Sequence, residues 1–212
     1  PSDSVYNVVP SPFDFSQAAV LNIPERAGDA SKAAEHTQMI IDYLPELLDN
    51  NSGSLVLFSS RRQMRDVQEN LPADWQDLVL MQGDRSKQAL IDEHKKNIDD
   101  GLGSIIFGLA SFAEGVDLPG DYCNHVVIAK IPFAVPDDPV EASLSEWIEA
   151  RGGNPFMEIT VPDASIRLVQ ACGRLLRTET DTGTVTLLDR RVVTRRYGKA
   201  ILNSLPPFKQ QF

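Results

Sequence analysis

The chain has 212 residues, enough for one large domain or two small ones, and its 42% hydrophobic and 24% charged content is that of an ordinary globular protein. No apolar run reaches the roughly 18 residues of a membrane span, and "PSDSVYNVVPSPFDF" lacks the basic start and apolar core of a secretory leader. The net charge of −10 argues against a protein that simply coats nucleic acid, yet it divides unevenly, −15 over residues 1–150 and +5 over residues 151–212. The last third therefore offers a local anion site, or merely the solvated basic faces of its helices.

The chain opens without Met and is expected to be a piece of a longer protein. A weak strand is expected at 19–23. A helix follows at 31–50, with Ser31 as a plausible N-cap. "SLVLFS" (54–59) is an apolar strand, and "RRQMRDVQENL" (61–71) a helix. "DLVLMQ" (77–82) is the next strand, and 87–101 a helix stopped by Gly101. "SIIFG" (104–108), "HVVIAK" (125–130) and "TVTLLD" (184–189) complete the strands. They are almost continuously apolar, as expected when both faces are covered. Strand–helix alternation at this spacing predicts a three-layer α/β domain with a mainly parallel sheet. Residues 131–162 break the rhythm with five prolines and an internal helix, "VEASLSEWIEA". They read as a long excursion from the carboxyl end of a strand, where open α/β sheets bind ligands.

Three stretches carry candidate chemistry. In "QACGRLLR", Asp163 is a plausible N-cap, and at 100° per residue Gln170, Arg174 and Arg177 share a stripe opposite Leu168, Val169, Cys172, Leu175 and Leu176. Gly173 costs about 1 kcal/mol against alanine inside a helix, which a close approach by a neighbour or ligand would explain. Alternatively, this is a surface helix with two solvated arginines. In "FGLASFAEGVDLPGD" (107–121), Glu114, Gly115 and Asp117 follow a strand, and small residues there admit phosphate oxygens to the backbone. Two carboxylates with no nearby third ligand are a weak metal signal. In "LVLFSSRRQM" (55–64), Ser59, Ser60 and Arg61 sit where hydroxyls and helix N-terminal amides could hold a phosphate, although Ser60 is equally an ordinary N-cap. Gln82 and Gly83 repeat the theme after another strand.

Other signals are missing. The sequence holds no G-x-x-x-x-G-K-[ST] phosphate loop, nucleophile elbow, HExxH or CxxC. His36, His94 and His125 are scattered and read as surface or core residues. Cys123 and Cys172 read as reduced core thiols of a cytosolic protein.

Together these stretches resemble the second motor domain of superfamily 2 helicases of the DinG/XPD-like branch. "VLFSSRRQM" resembles motif IV. Glu114-Gly115-Val116-Asp117 resembles the core of motif V, and Gln170, Gly173, Arg174 and Arg177 complete the Q-x-x-G-R-x-x-R of motif VI. "KIPFAVPDDP" and "DRRVVTRRYGKAILNSLPPF" match the bacterial DinG-like pattern. The resemblance runs from about Ser11 to the end and implies one RecA-like domain that lacks its own phosphate loop. It implies ATP with Mg²⁺ in a cleft shared with a first motor domain. That domain supplies the phosphate loop and, in this branch, usually a 4Fe-4S cluster, outside this chain. Arg174 and Arg177 match the family's catalytic arginine pair, with Arg177 the first choice for the γ-phosphate. Gln170 and Glu114 would couple phosphate state to domain closure, and Asp117 would hold motif V against motif VI. Ser59, Ser60, Arg61, Gln82 and Gly83 would contact single-stranded DNA, tracked 5′→3′ in a bacterial cytoplasm with no membrane contact. The alternative is a non-catalytic RecA-like docking module. Its docking face, "TRRYGKAILNSLPPF" (194–208), would be the C-terminal helix surface on which a replication or repair protein could sit.

Overall fold

Leu55, Val56, Leu57 and Phe58 are consecutive and all buried, as in a strand covered on both faces. They lie in β2 (Gly53–Phe58) of a seven-stranded sheet whose other members are β1 (Ala19–Asn22), β3 (Val79–Met81), β4 (Ser104–Leu109), β5 (His125–Ile128), β6 (Gly183–Leu187) and β7 (Lys209–Gln211). The computed structural model describes residues 19–134, 139–175 and 182–212. Strand order is β3-β4-β2-β5-β6-β1-β7, and every pairing is parallel. All carboxyl ends therefore lie on one edge, which gathers Ser59, Gln82 and the loop after β4.

Side chains alternate across this sheet and feed two cores. Leu55, Leu57, Ile106, Val126, Val185 and Leu187 point to one, shared with α4 (Lys87–Asp99), α6 (Val161–Cys172) and α8 (Gly198–Ser204). Val56, Phe58, Ile105, Phe107 and Val127 point to the other, shared with α1 (Ala33–Leu47) and α2 (Arg61–Asn70). The short α3 (Ala73–Gln76) adds Trp75 to this second core, while α5 (Pro139–Ala150) lies in the 131–162 segment and α7 (Arg191–Thr194) precedes α8. The expected three-layer α/β architecture with a parallel sheet is the one observed.

Each core contains a histidine that fastens a helix to the sheet. His36 in α1 donates from Nε2 to the Leu188 carbonyl at 2.7 Å, while Nδ1 accepts from the Gln63 amide at 3.1 Å. His94 in α4 donates from Nε2 to the Tyr122 carbonyl at 2.7 Å and accepts from the Ser104 hydroxyl at 2.9 Å. A carbonyl can only accept, so each pairing fixes one neutral tautomer. Burial lowers the pKa of both rings, and that of His125 to about 4. Unfolding restores the ordinary value near 6.5, so below that pH the unfolded chain binds more protons than the folded one. Stability is thus present above about pH 6.5, falls with pH, and for His125 stops falling near pH 4. Thermal midpoints of the domain should be level above pH 7 and drop from pH 7 to 5. A midpoint unchanged over that interval would contradict the neutral, buried rings.

Several local expectations need correction. Ser31 does not cap α1: the N-cap is Lys32, with no side-chain bond, and the Ser31 hydroxyl and amide instead donate to Asp29 at 2.6 and 2.9 Å. Those bonds hold the Asp29 carboxyl down at about 2. Asp163 is not the cap of α6, because a π-helical segment (Phe156–Thr160) runs directly into Val161. Its carboxylate instead accepts from Arg167, one turn on, at 2.8 Å. β7 had no apolar signature: Lys209, Gln210 and Gln211 are exposed and held by backbone pairing to β1. Gly101 follows α4 with a φ of +77°, the left-handed stop expected of it.

Candidate functional site

The loop after β4 begins with a 3₁₀ turn, Ala110–Ala113, that buries Phe112 and Ala113. Glu114 follows, exposed, and Gly115 turns the chain with a φ of +70°, a conformation that a side chain would strain. Val116 and Leu118 return to the core, each 1% exposed, leaving Asp117 exposed between them. The alternation explains why the acidic residues of this motif face outward.

α6 packs against this loop. Leu168, Ala171 and Cys172 are buried, as is Leu175 just beyond the helix, and Gln170 lies at the surface of the same turns. The expectation of one continuous stripe stops short, since the helix ends at Cys172 and Gly173 is its C-cap. Gly173 has φ −66°, and an added Cβ would meet nothing closer than 3.5 Å. Nothing within the described residues therefore requires glycine there. Arg174 sits in the following turn and donates from Nη1 to the Val116 carbonyl at 3.2 Å. Arg177 and Leu176 lie outside the described residues.

The result is a narrow crevice lined by Ala110, Ser111, Glu114, Arg167, Gln170 and Arg174. Residues some 56 to 60 apart in sequence, Glu114 with Gln170 and Arg174, thus share one site. Its volume, about 20 Å³, admits about one water and no nucleotide. Whatever larger group these side chains address must lie above the crevice, facing outward.

A second surface lies on the same edge, beside the first. Gln82 follows β3, its side-chain oxygen accepting from the Leu109 amide at 2.8 Å. Gly83 is exposed with a φ of +107°. With Arg85, Lys87, Ser111 and Phe112 they line an open hollow of about 310 Å³. At the end of β2, Ser59 and Arg61 are exposed, whereas the Ser60 hydroxyl caps α2 by accepting from the Gln63 amide at 3.4 Å. Ser60 also borders a cleft of about 540 Å³ with Arg62, Thr37 and Lys130. Arg62 and Lys130 were not singled out in the sequence. Lys130 could have been, as a cation immediately after an apolar strand.

The described residues hold no group of three or more His, Cys, Asp or Glu side chains that could bind a metal. The two cysteines are buried and neither is in a disulfide, and burial pushes the Cys172 thiol up to about 12. A 4Fe-4S cluster takes four thiolates, more than the chain's two cysteines supply. Among the described residues, no helix is long and apolar enough to cross a membrane.

The helicase C-terminal domain family model matches residues 44–208. The ATP-dependent DNA helicase DinG of Photobacterium profundum is 49% identical over 205 residues, covering 94% of this chain and 29% of that protein. The ATP-dependent DNA helicase YoaA of Escherichia coli (strain K12) is 37% identical over 200 residues, 94% of this chain and 31% of its own length. The chain thus spans under a third of these relatives. Among solved structures, S. tokodaii Xpd4 superposes with a TM-score of 0.66 at 18% identity, over 98% of this chain and 40% of that one. The C-terminal domain of the DEAD-box protein Dbp5 gives 0.51 at 12% identity, over 93% and 90%. At such identities these two speak for the RecA-like fold alone. The matched motifs, the parallel sheet and the family model agree: this chain belongs to the helicase C-terminal domain family, in its DinG/XPD-like branch.

Proposed function

We propose that this domain is the second motor domain of an ATP-dependent DNA helicase that moves 5′→3′ on single-stranded DNA in the bacterial cytoplasm. The observation that carries the reading is the crevice in which Glu114, Gln170 and Arg174 meet. ATP with Mg²⁺ would lie over it, closed from above by a first motor domain that carries the phosphate loop. The ion supplies charge neutralisation on the phosphates when bound. From this side, Arg174 and Arg177 offer guanidinium forks to the terminal phosphate, with Arg177 the finger, since Arg174 already bonds the Val116 carbonyl. Glu114 and Gln170 sense the phosphate, and Asp117 steadies the loop that Arg174 grips. Any 4Fe-4S cluster belongs to the part of the protein outside these residues.

Ser59, Ser60, Arg61, Gln82 and Gly83 line the carboxyl edge of β2 and β3 and are suited to the DNA backbone, a contact that carries little sequence information. The half-site character has a direct test. The isolated 212 residues should hydrolyse no ATP, because the crevice holds no nucleotide by itself, whereas the full-length protein should be stimulated by single-stranded DNA. Turnover by the isolated domain that survives repurification would overturn the shared-site reading.

A second reading rests on a separate observation. An apolar groove of about 470 Å³ runs between α6 and α8, lined by Met157, Val161, Ile166, Val169 and Ala200. It supports docking of a replication or repair protein beside the C-terminal helix, in addition to motor function.

A further inference from the structure

The crevice and the DNA-facing hollow share a wall, the 3₁₀ turn Ala110–Ala113, and Ser111 lines both. The wall is gripped from the hollow side at two points. At its start, Gln82 accepts from the Leu109 amide at 2.8 Å. At its end, the Lys87 ammonium donates to the Glu114 carbonyl, and it also lies 5.0 Å from the centre of the Phe112 ring. Lys87 is the first residue of α4, directly after the Gln82–Ser86 loop, and it lines the hollow itself. One residue past its carbonyl partner stands Gly115, the left-handed pivot of the loop.

We propose that Lys87 is a positioning residue that couples occupancy of the hollow to the placement of Glu114 in the crevice. This rests on the reading of the hollow as a DNA-backbone surface. Without DNA, the ammonium holds the Glu114 carbonyl, a neutral acceptor. A phosphodiester oxygen entering the hollow is an anionic and therefore stronger acceptor for the same ammonium. The ammonium turns toward it, the Glu114 carbonyl is released, and the loop is free to pivot at Gly115 toward the crevice. Coupling requires a ligand that makes different contacts in the two arrangements. Lys87 supplies that difference, with a carbonyl partner in one and a phosphate partner in the other. In the first arrangement the ammonium also lies 5.0 Å from the centre of the Phe112 ring.

The test uses the full-length protein and an oligothymidylate, with ATP turnover measured with and without the DNA. Lys87→Met keeps an unbranched apolar side chain and removes the ammonium. It should lower the ratio of DNA-stimulated to DNA-free turnover at least about fivefold, the low end of ordinary site–site coupling. Lys87→Arg, which keeps the charge, should restore that ratio to within about twofold. Should Lys87→Met reduce both turnovers by the same factor and leave the ratio intact, Lys87 is a structural prop and the inference is overturned. Wild-type protein that neither binds the oligonucleotide nor responds to it would remove the DNA-surface reading itself, and the inference with it.

Discussion

Arg174→Ala and Arg177→Ala, each made in the full-length protein, should lower DNA-stimulated ATP hydrolysis by at least about 100-fold. The transferred phosphoryl group spreads negative charge over its oxygens as the bond to the leaving group lengthens. A guanidinium placed there gains attraction as the reaction proceeds, so its loss falls on the rate rather than on ground-state binding. Arg174 also bonds the Val116 carbonyl, so its removal loosens the motif V loop against α6 as well as removing a guanidinium. Lysine should rescue neither variant well, because a point charge does not replace a planar fork. Folding should survive Arg174→Ala, since this half-buried side chain lines the crevice and not the core, and losing its charged bond to the Val116 carbonyl costs about 1–3 kcal/mol. Near-wild-type turnover in both alanine variants would end the finger assignment.

Asp189→Ala should destabilise the domain by about 3–5 kcal/mol, the range for removing one partner of a buried ion pair. Asp189 is 0% exposed at the end of β6. It accepts from the Ile131 amide at 3.0 Å, from the Arg191 amide at 3.1 Å, and from the Arg191 guanidinium at 2.9 and 2.7 Å. These bonds raise the Arg191 pKa further above its usual value. One carboxylate thus ties the exit of β5 to the exit of β6 and to α7. Its removal leaves the Arg191 guanidinium, 16% exposed, with Asp29 at 3.8 Å and the Phe133 ring centre at 5.8 Å. It also leaves the Ile131 amide without this acceptor, a further unsatisfied group. Asp189→Asn keeps the shape and part of the hydrogen bonding, so it should fall between. Urea unfolding of the domain reads both, and a loss below about 1 kcal/mol in the alanine variant would show that Arg191 finds adequate partners elsewhere.

Asp189 also marks where sequence reading stops. "TVTLLD" announces a buried strand because five apolar or β-branched residues precede one polar residue, but nothing local says that this aspartate is fully enclosed. Ile131, whose amide it accepts from, lies 58 residues away along the chain. β7 is the opposite case, a strand without strand composition. Lys209, Gln210 and Gln211 bury no side chain, and only the backbone bonds offered by β1 make them a strand. The helix bearing Gln170 was legible from its apolar period, yet its end was not. Periodicity runs on through Leu175, which is buried, while the backbone has already left the helix at Gly173.

The sequence by itself determined the alternation of strand and helix, the two-sided burial of the sheet and the residue types of the three motifs. Each of these is written in local composition and spacing, and the family follows from the motifs. Only the tertiary structure decided that Glu114, Gln170 and Arg174 line one crevice, and that Lys87 reaches across to the same loop. The physical reason is the sheet order. β3 pairs with β4, so α4, which follows β3, brings Lys87 beside the loop after β4, and α6, returning after β5, packs on the 3₁₀ turn of that same loop.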